Sequence, residues 1–278
     1  MSSSRKARGF ARRLTALSGG AELLRKAAAR ELGRMDPTDA TDLIGGLIQL
    51  YQAGDAEAAV ALAAVVSALL WDTKEIPYAK ALKRLADLQE LQPVSALFTA
   101  APPQKEMHAD AAARADAKLF TESLGHLKTK ARLTKNPDEL AKLATASDPT
   151  VVRNVLLNPR LTEPQVVRIA ARRPARPEPL VEIWKSPRWS VCHAVRRALV
   201  LNPYLPPEVG SKIVPLLNAV DLDELAKNTA VHQALREQAR QLLQRGEPAI
   251  SGASSRPPTE RPPGARASPG GGRGAPHR

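Results

Sequence analysis

LATASDPTVVRNVLLNP (Leu143–Pro159), LVEIWKSPRWSVCHAVRRALVLNP (Leu180–Pro203) and LDELAKNTAVHQALREQARQLL (Leu222–Leu243) are three versions of one pattern. Each carries a Leu/Val/Ile stripe at helical spacing with an arginine at the same place, and the first two close on Asn-Pro. Between them run PRLTEPQVVRIAARRP and PYLPPEVGSKIVPLLN, whose opening prolines, Pro159 and Pro203, lie 44 residues apart. A period of this length marks a helical repeat, in which no unit buries its apolar face alone and neighbours must stack.

The periodicity predicts helices over Asp138–Thr145, Pro149–Leu157, Glu163–Arg172, Pro177–Lys185, Ser190–Leu201, Pro206–Leu217, Asp221–Asn228 and Val231–Arg245. The Asn-Pro pairs at 136, 158 and 202 each read as a capping residue ahead of a proline that opens the next helix. Upstream, helices are expected over Ala21–Leu32, from Pro37 behind an Asp36 cap, over Ala56–Trp71 and over Tyr78–Leu91, with a further turn at Pro93–Phe98. Ala56–Trp71 is apolar nearly all round and so needs cover on every side. Gln104–Leu133 reads as a long charged helix joining the two halves. Aromatics are only 3% of the chain, which disfavours a sheet built on aromatic cross-strand pairs; the expected class is all-α. The expected organisation is a basic arm (1–20), an acidic helical bundle (21–100), the connector (104–133), the repeat array (136–246) and a disordered Pro/Gly/Arg tail (247–278).

Net charge is +13, and it is unevenly spread. Residues 1–34 carry +7, 35–100 carry −5, 101–142 carry +2, 143–246 carry +6 and 247–278 carry +3. Positive charge thus concentrates in the tails and the array, where an anionic partner would be drawn. The arm itself reads either as a solvated tail or as a basic amphipathic segment for nucleic acid, a membrane surface or an acidic protein.

A single cysteine, Cys192, excludes an intrachain disulfide framework and a cysteine metal cluster, and fits a reducing cytoplasm. The longest apolar run, Ala58–Leu70, is shorter than the roughly 20 residues of a spanning helix. The N-terminus has no apolar core of a secretory signal, although its Arg- and Ser-rich, acid-free composition is that of organelle transit peptides.

On these residues, 137–243 resembles the HEAT and armadillo-like α-solenoids. More narrowly it is similar to the bacterial leucine-rich repeat variant type, through Asp148-Pro149, Val152-Arg153 and Asn158-Pro159, then Ser186-Pro187, Val195-Arg196 and Asn202-Pro203. The last unit keeps Leu235-Arg236 but lacks the acidic turn and the closing Asn-Pro. The resemblance implies a protein-interaction platform, and some such arrays contact DNA. Certain leucine-rich repeat variant proteins hold an iron–sulfur cluster on an N-terminal cysteine group; with Cys192 alone, that property does not carry over.

Arg153, Arg196 and Arg236 recur once per unit, either as a guanidinium ladder for phosphates or carboxylates, or as internal caps and ion pairs. The candidate partner-binding residues are Arg168, Arg172, Arg173, Arg176, Lys185, Arg188 and Arg197, with Trp189 as an aromatic anchor. For Trp184 and Trp189 packing between successive helices is the favoured reading, because Trp184 follows Ile183 on the apolar stripe. Cys192 and His193 are adjacent on a helix and point about 100° apart, which makes a poor nucleophile–base pair. His108, His126, His193, His232 and His277 lack metal-ligand spacing, and no phosphate-loop or nucleophile-elbow motif occurs. No cofactor, metal or catalysis is therefore expected. The expected function is a non-enzymatic cytoplasmic scaffold whose basic array receives an acidic protein segment. The alternative is a nucleic-acid-binding protein of the same fold, and behind it a HEAT-like DNA glycosylase whose acid would be Glu182 beside Trp184.

Overall fold

The computed structural model describes residues 3–17, 19–108 and 122–246. The expected disordered tail at 247–278 and the middle of the expected connector, 109–121, lie outside the described residues. Among the described residues there are fifteen α-helices, two 3-10 turns and no strand, so the chain is all-α.

The N-terminal helices are α1 (Ser3–Thr15), α2 (Ala21–Gly33), α3 (Pro37–Gln52), α4 (Ala56–Trp71), α5 (Ala79–Leu88) and α6 (Gln92–Ser95), followed by a 3-10 turn at Ala96–Phe98. Asp36 opens α3 by accepting from the Thr38 N–H, with Pro37 at the first helical position, and Asp55 opens α4 by accepting from Ala58. α4 has almost no polar side chain, and α1, α2 and α3 pack around it. The basic arm is therefore a docked helix. Ala7, Phe10, Ala11 and Leu14 recur at the spacing of one helical face, and all four are buried against α3 and α4. Gly46 of α3 permits this approach, since a Cβ there would sit 2.9 Å from Ala7 Cβ and 3.0 Å from the Ser3 carbonyl.

The array comprises α7 (Leu124–Leu133), α8 (Pro137–Leu143), α9 (Pro149–Leu156), α10 (Glu163–Ala171), α11 (Pro177–Lys185), α12 (His193–Val200), α13 (Pro207–Ile213), α14 (Ala219–Lys227) and α15 (Gln233–Gly246), with a 3-10 turn at Val214–Leu216. Helices two apart pack together: α7 on α9, α9 on α11, α10 on α12 and α13 on α15. The expected connector departs from one continuous helix. Residues 104–108 follow Pro102-Pro103 without helical structure, Lys105 N–H donates to the Pro203 carbonyl, and α7 starts afresh on a Ser123 cap.

The Asn-Pro pairs do more than cap. Asn136 does open α8, with Pro137 at its first position. Pro159 and Pro203 instead occupy turns closed by Leu161 N–H to Asn158 O and Leu205 N–H to Asn202 O, each 3.1 Å, and the next helices start several residues later. Asn158 and Asn202 are 1% exposed. The Asn158 Oδ1 accepts from Arg160 N–H, while its Nδ2 donates to the carbonyls of Ala131 and Thr134 at the end of α7. Asn202 repeats this with Tyr204 N–H, and with Ala170 and Arg172 at the end of α10. One buried side chain per unit thus satisfies carbonyls that a helix end leaves without partners, and it ties neighbouring units together.

The described helices belong to one compact unit. Tyr51 Oη donates to Leu216 O (2.7 Å), Gln52 Nε2 to Leu242 O (3.1 Å), and both Ser211 Oγ and Lys212 Nζ donate to Leu97 O. These bonds join α3 and the 96–98 turn to the last helices of the array.

Candidate interaction surface and cleft

The cations of α1 face the acids of the neighbouring helices. Lys6 lies 2.8 Å from Asp39, Arg8 3.8 Å from Asp55, Arg12 3.5 Å from Glu57 and Arg13 3.2 Å from Glu31. Three of these pairs join the +7 segment to the −5 segment and the fourth lies within the +7 segment, so four of the arm's cations already have anionic partners.

Several cations of the array are paired in the same way, among them Arg153, Arg197 and Lys227. Arg168 and Arg172, by contrast, stand one helical turn apart, exposed and without an ion pair among the described residues. Arg173 Nη2 donates to Leu201 O at 2.6 Å, and Arg188 donates to the Asn158 and Leu161 carbonyls. Both arginines are exposed, and both bond to neutral oxygens that hold the guanidinium without cancelling its charge. Arg176 is partly buried at the start of α11.

The other expected contact residues are committed elsewhere. Arg197 bridges Asp221 (3.2 Å) and Glu224 (2.6 Å), and Lys185 lies 3.0 Å from Glu182. Trp189 is not an exposed anchor: it is 3% exposed, its Nε1 donates to Leu156 O at 3.0 Å, and Arg188 covers its ring at 4.2 Å. The turn that carries it, closed by Trp189 and Ser190 N–H bonds to Ser186 O, also explains why α12 begins at His193 rather than Ser190. The expected cluster therefore divides. Arg168, Arg172 and Arg173 lie toward the C-terminal end of α10, and Arg188 reaches the turn before its N-terminus, roughly 13 Å away along a nine-residue helix.

The repeated arginines do not form one ladder. Arg153 pairs with Glu182 at 3.2 Å, Arg196 Nε donates to Ser190 O at 2.7 Å, and the Arg236 Nε is enclosed without a hydrogen-bond partner among the described residues. Glu182 is 3% exposed, with one oxygen toward Lys185 and the other toward Arg153. Both carboxylate oxygens are therefore engaged by cations of the array. Cys192 and His193 also have separate partners: the thiol donates to Arg188 O at 3.6 Å, and His193 Nε2 lies 2.6 Å from Asp221 Oδ2 on α14. Burial raises the Cys192 thiol, which holds it in its protonated, unreactive form.

A cleft of about 370 Å³ opens between α2, α4 and the 184–196 segment. Ala59, Val60, Ala63 and Trp71 form one wall, with Trp184 and Val191 in the other. Lys185 Nζ lies over the Trp71 ring, 4.6 Å from its centre. Sequence reasoning placed Trp184 correctly on an apolar stripe but missed the cleft, because its two walls are more than a hundred residues apart in the chain.

Neither the protein families, the curated proteins nor the solved structures offer a match. The functional reading therefore rests on this geometry. Among the described residues no group of three or more His, Cys, Asp or Glu side chains is placed to hold a metal ion, and no helix is long and apolar enough to cross a membrane.

Proposed function

We infer that the protein is a non-catalytic scaffold of the HEAT-like, leucine-rich repeat variant kind, acting in the cytoplasm, and that its array receives an acidic protein segment. The observation that carries this reading is the asymmetry in charge compensation. Four of the five cations of the N-terminal helix meet carboxylates, whereas among the described residues Arg168 and Arg172 meet none and Arg173 and Arg188 meet only backbone carbonyls. The repeat's own polar residues support it too. Asn158 and Asn202 are spent on stacking, and among the described residues Arg168 and Arg172 make no ion pair within the fold, whereas Arg173 also secures Leu201 O.

Nucleic acid is the competing partner for the same cations. The pairing of four α1 cations with internal acids leaves less positive charge for non-specific attraction to a duplex. The test is a pair of anisotropy titrations at low ionic strength, one with a fluorescent Glu-rich peptide and one with a random-sequence DNA duplex. Saturable binding of the peptide with weak binding of the duplex is the expected result. A duplex bound more tightly than the peptide, with an affinity falling linearly in log salt, would establish the nucleic-acid reading instead.

A further inference from the structure

Arg196 lines the cleft between α2, α4 and the 184–196 segment, and its charge is unmatched. Its Nε donates to Ser190 O, and no carboxylate lies within ion-pair distance of it among the described residues. Burial lowers its pKa, and the titratable groups that act on it, Tyr51 and Cys192, are both neutral in their ordinary state. A half-buried cation without a counter-ion is costly unless something supplies the anion.

The other charged groups of the lining are already satisfied within the protein. Arg25 is paired with Asp72, Lys185 with Glu182 and Glu22 with Lys26. Among the charged side chains of the lining, Arg196 is the one without an ionic partner among the described residues. Around it the surface is apolar: Val60 and Val191 are 42% and 54% exposed on opposite walls, and Trp71 and Trp184 complete the enclosure. Trp184 is 2% exposed, and its indole N–H has no acceptor among the described residues. A volume of about 370 Å³, mostly apolar with a few polar groups, is the constitution of a small-molecule site.

We propose that this cleft binds a small apolar monocarboxylate, with the carboxylate on the Arg196 guanidinium and the hydrocarbon or aromatic body against Trp71, Trp184, Val60 and Val191. A single surplus guanidinium matches a monoanion, and its planar fork matches a carboxylate in geometry. The site stands independently of the acidic-segment reading, since Arg168 and Arg172 take no part in it.

Two of the three tryptophans line the cleft, so intrinsic fluorescence reports its occupancy. Octanoate is the probe and octanamide its uncharged counterpart. Octanoate should give a saturable change with a Kd of about 1 mM or below, and octanamide should bind about tenfold more weakly or worse. Arg196→Gln, which retains a donor for Ser190 O, should weaken octanoate by a similar factor. Ala63→Phe fills the cleft and should abolish the change, with folding checked by far-UV circular dichroism. If Arg196→Gln fails to fold, octanamide and Ala63→Phe still decide the matter. The absence of saturable binding, equal binding of octanoate and octanamide, or unchanged binding by folded Arg196→Gln or Ala63→Phe would each overturn the proposal.

Discussion

The side-chain amide of Asn202 donates to the Ala170 carbonyl at 2.7 Å across 32 residues of sequence, and both groups are buried. This bond and its counterpart from Asn158 to Ala131 make the closing asparagine of the first two units a tie between helix ends. Asn202→Ala should lower unfolding stability by about 3 kcal/mol, because it removes bonds and leaves enclosed carbonyls without donors. Asn202→Asp should be no better, since a carboxylate cannot donate to Ala170 and Arg172. Urea denaturation checks both; a loss below about 0.5 kcal/mol for Asn202→Ala would mean that the tie carries no stability.

The first helix is held by its apolar face rather than by its ion pairs. Phe10 is 1% exposed, so Phe10→Ala should cost about 3–5 kcal/mol. Removing the exposed partners of α1 one at a time, as in Lys6→Ala or Arg12→Ala, should shift the thermal midpoint little. The reverse ranking in a thermal melt would contradict the docking described for α1.

Lys212 is 3% exposed and donates to the Leu97 and Glu208 carbonyls, and burial lowers its pKa to about 8. In the unfolded chain it titrates near 10.5. Below pH 8 the lysine is charged in both states. Between 8 and 10.5 the unfolded chain binds more proton, so stability must rise with pH across that window. The gain approaches about 3 kcal/mol at its upper end. Tyr78, pushed up to about 12 by burial, acts in the opposite sense above pH 10, because there only the unfolded chain ionises readily. Denaturation of the wild type and Lys212→Met at pH 7.5 to 10 isolates the lysine: the wild type gains stability relative to the variant as pH rises. A constant difference would show that Lys212 titrates alike in both states.

Trp189 belongs to the core, and this separates its role from that of the arginines around it. Trp189→Phe keeps the ring but loses the bond to Leu156 O, and should cost about 1–2 kcal/mol. Peptide affinity should not change once folding is allowed for. A loss of affinity at unchanged stability would restore Trp189 as a contact residue.

Local features of the fold were legible in the sequence. The spacing of apolar side chains placed Ala56–Trp71 and Pro177–Lys185 at their observed ends, and Asp36-Pro37 marked its helix start as expected. Periodicity reports which face of a helix is covered, but it does not say by what. The arm's cations looked like a free basic tail because their acids, Asp39, Asp55, Glu57 and Glu31, lie on other helices. Pro159 and Pro203 looked like helix starts because Asn-Pro serves equally in a turn, and only the long-range bonds of the asparagine decide between the two. The candidate surface was legible as composition and not as geometry. Arg172 and Arg197 look alike in the sequence, yet the first has no ion pair among the described residues and the second is committed to Asp221 and Glu224.

The positive charge at the end of α10 is the proposed receptor of the acidic segment. Arg173 secures Leu201 O and is unsuited to charge reversal, whereas Arg168 and Arg172 can be reversed without breaking an internal bond of either side chain. The decisive measurement is the anisotropy titration of the Glu-rich peptide against the wild type and the double variant Arg168→Glu/Arg172→Glu, with equal stability verified in urea. The account predicts that the variant binds at least about tenfold more weakly at low salt. Equal affinity of the two proteins would contradict it.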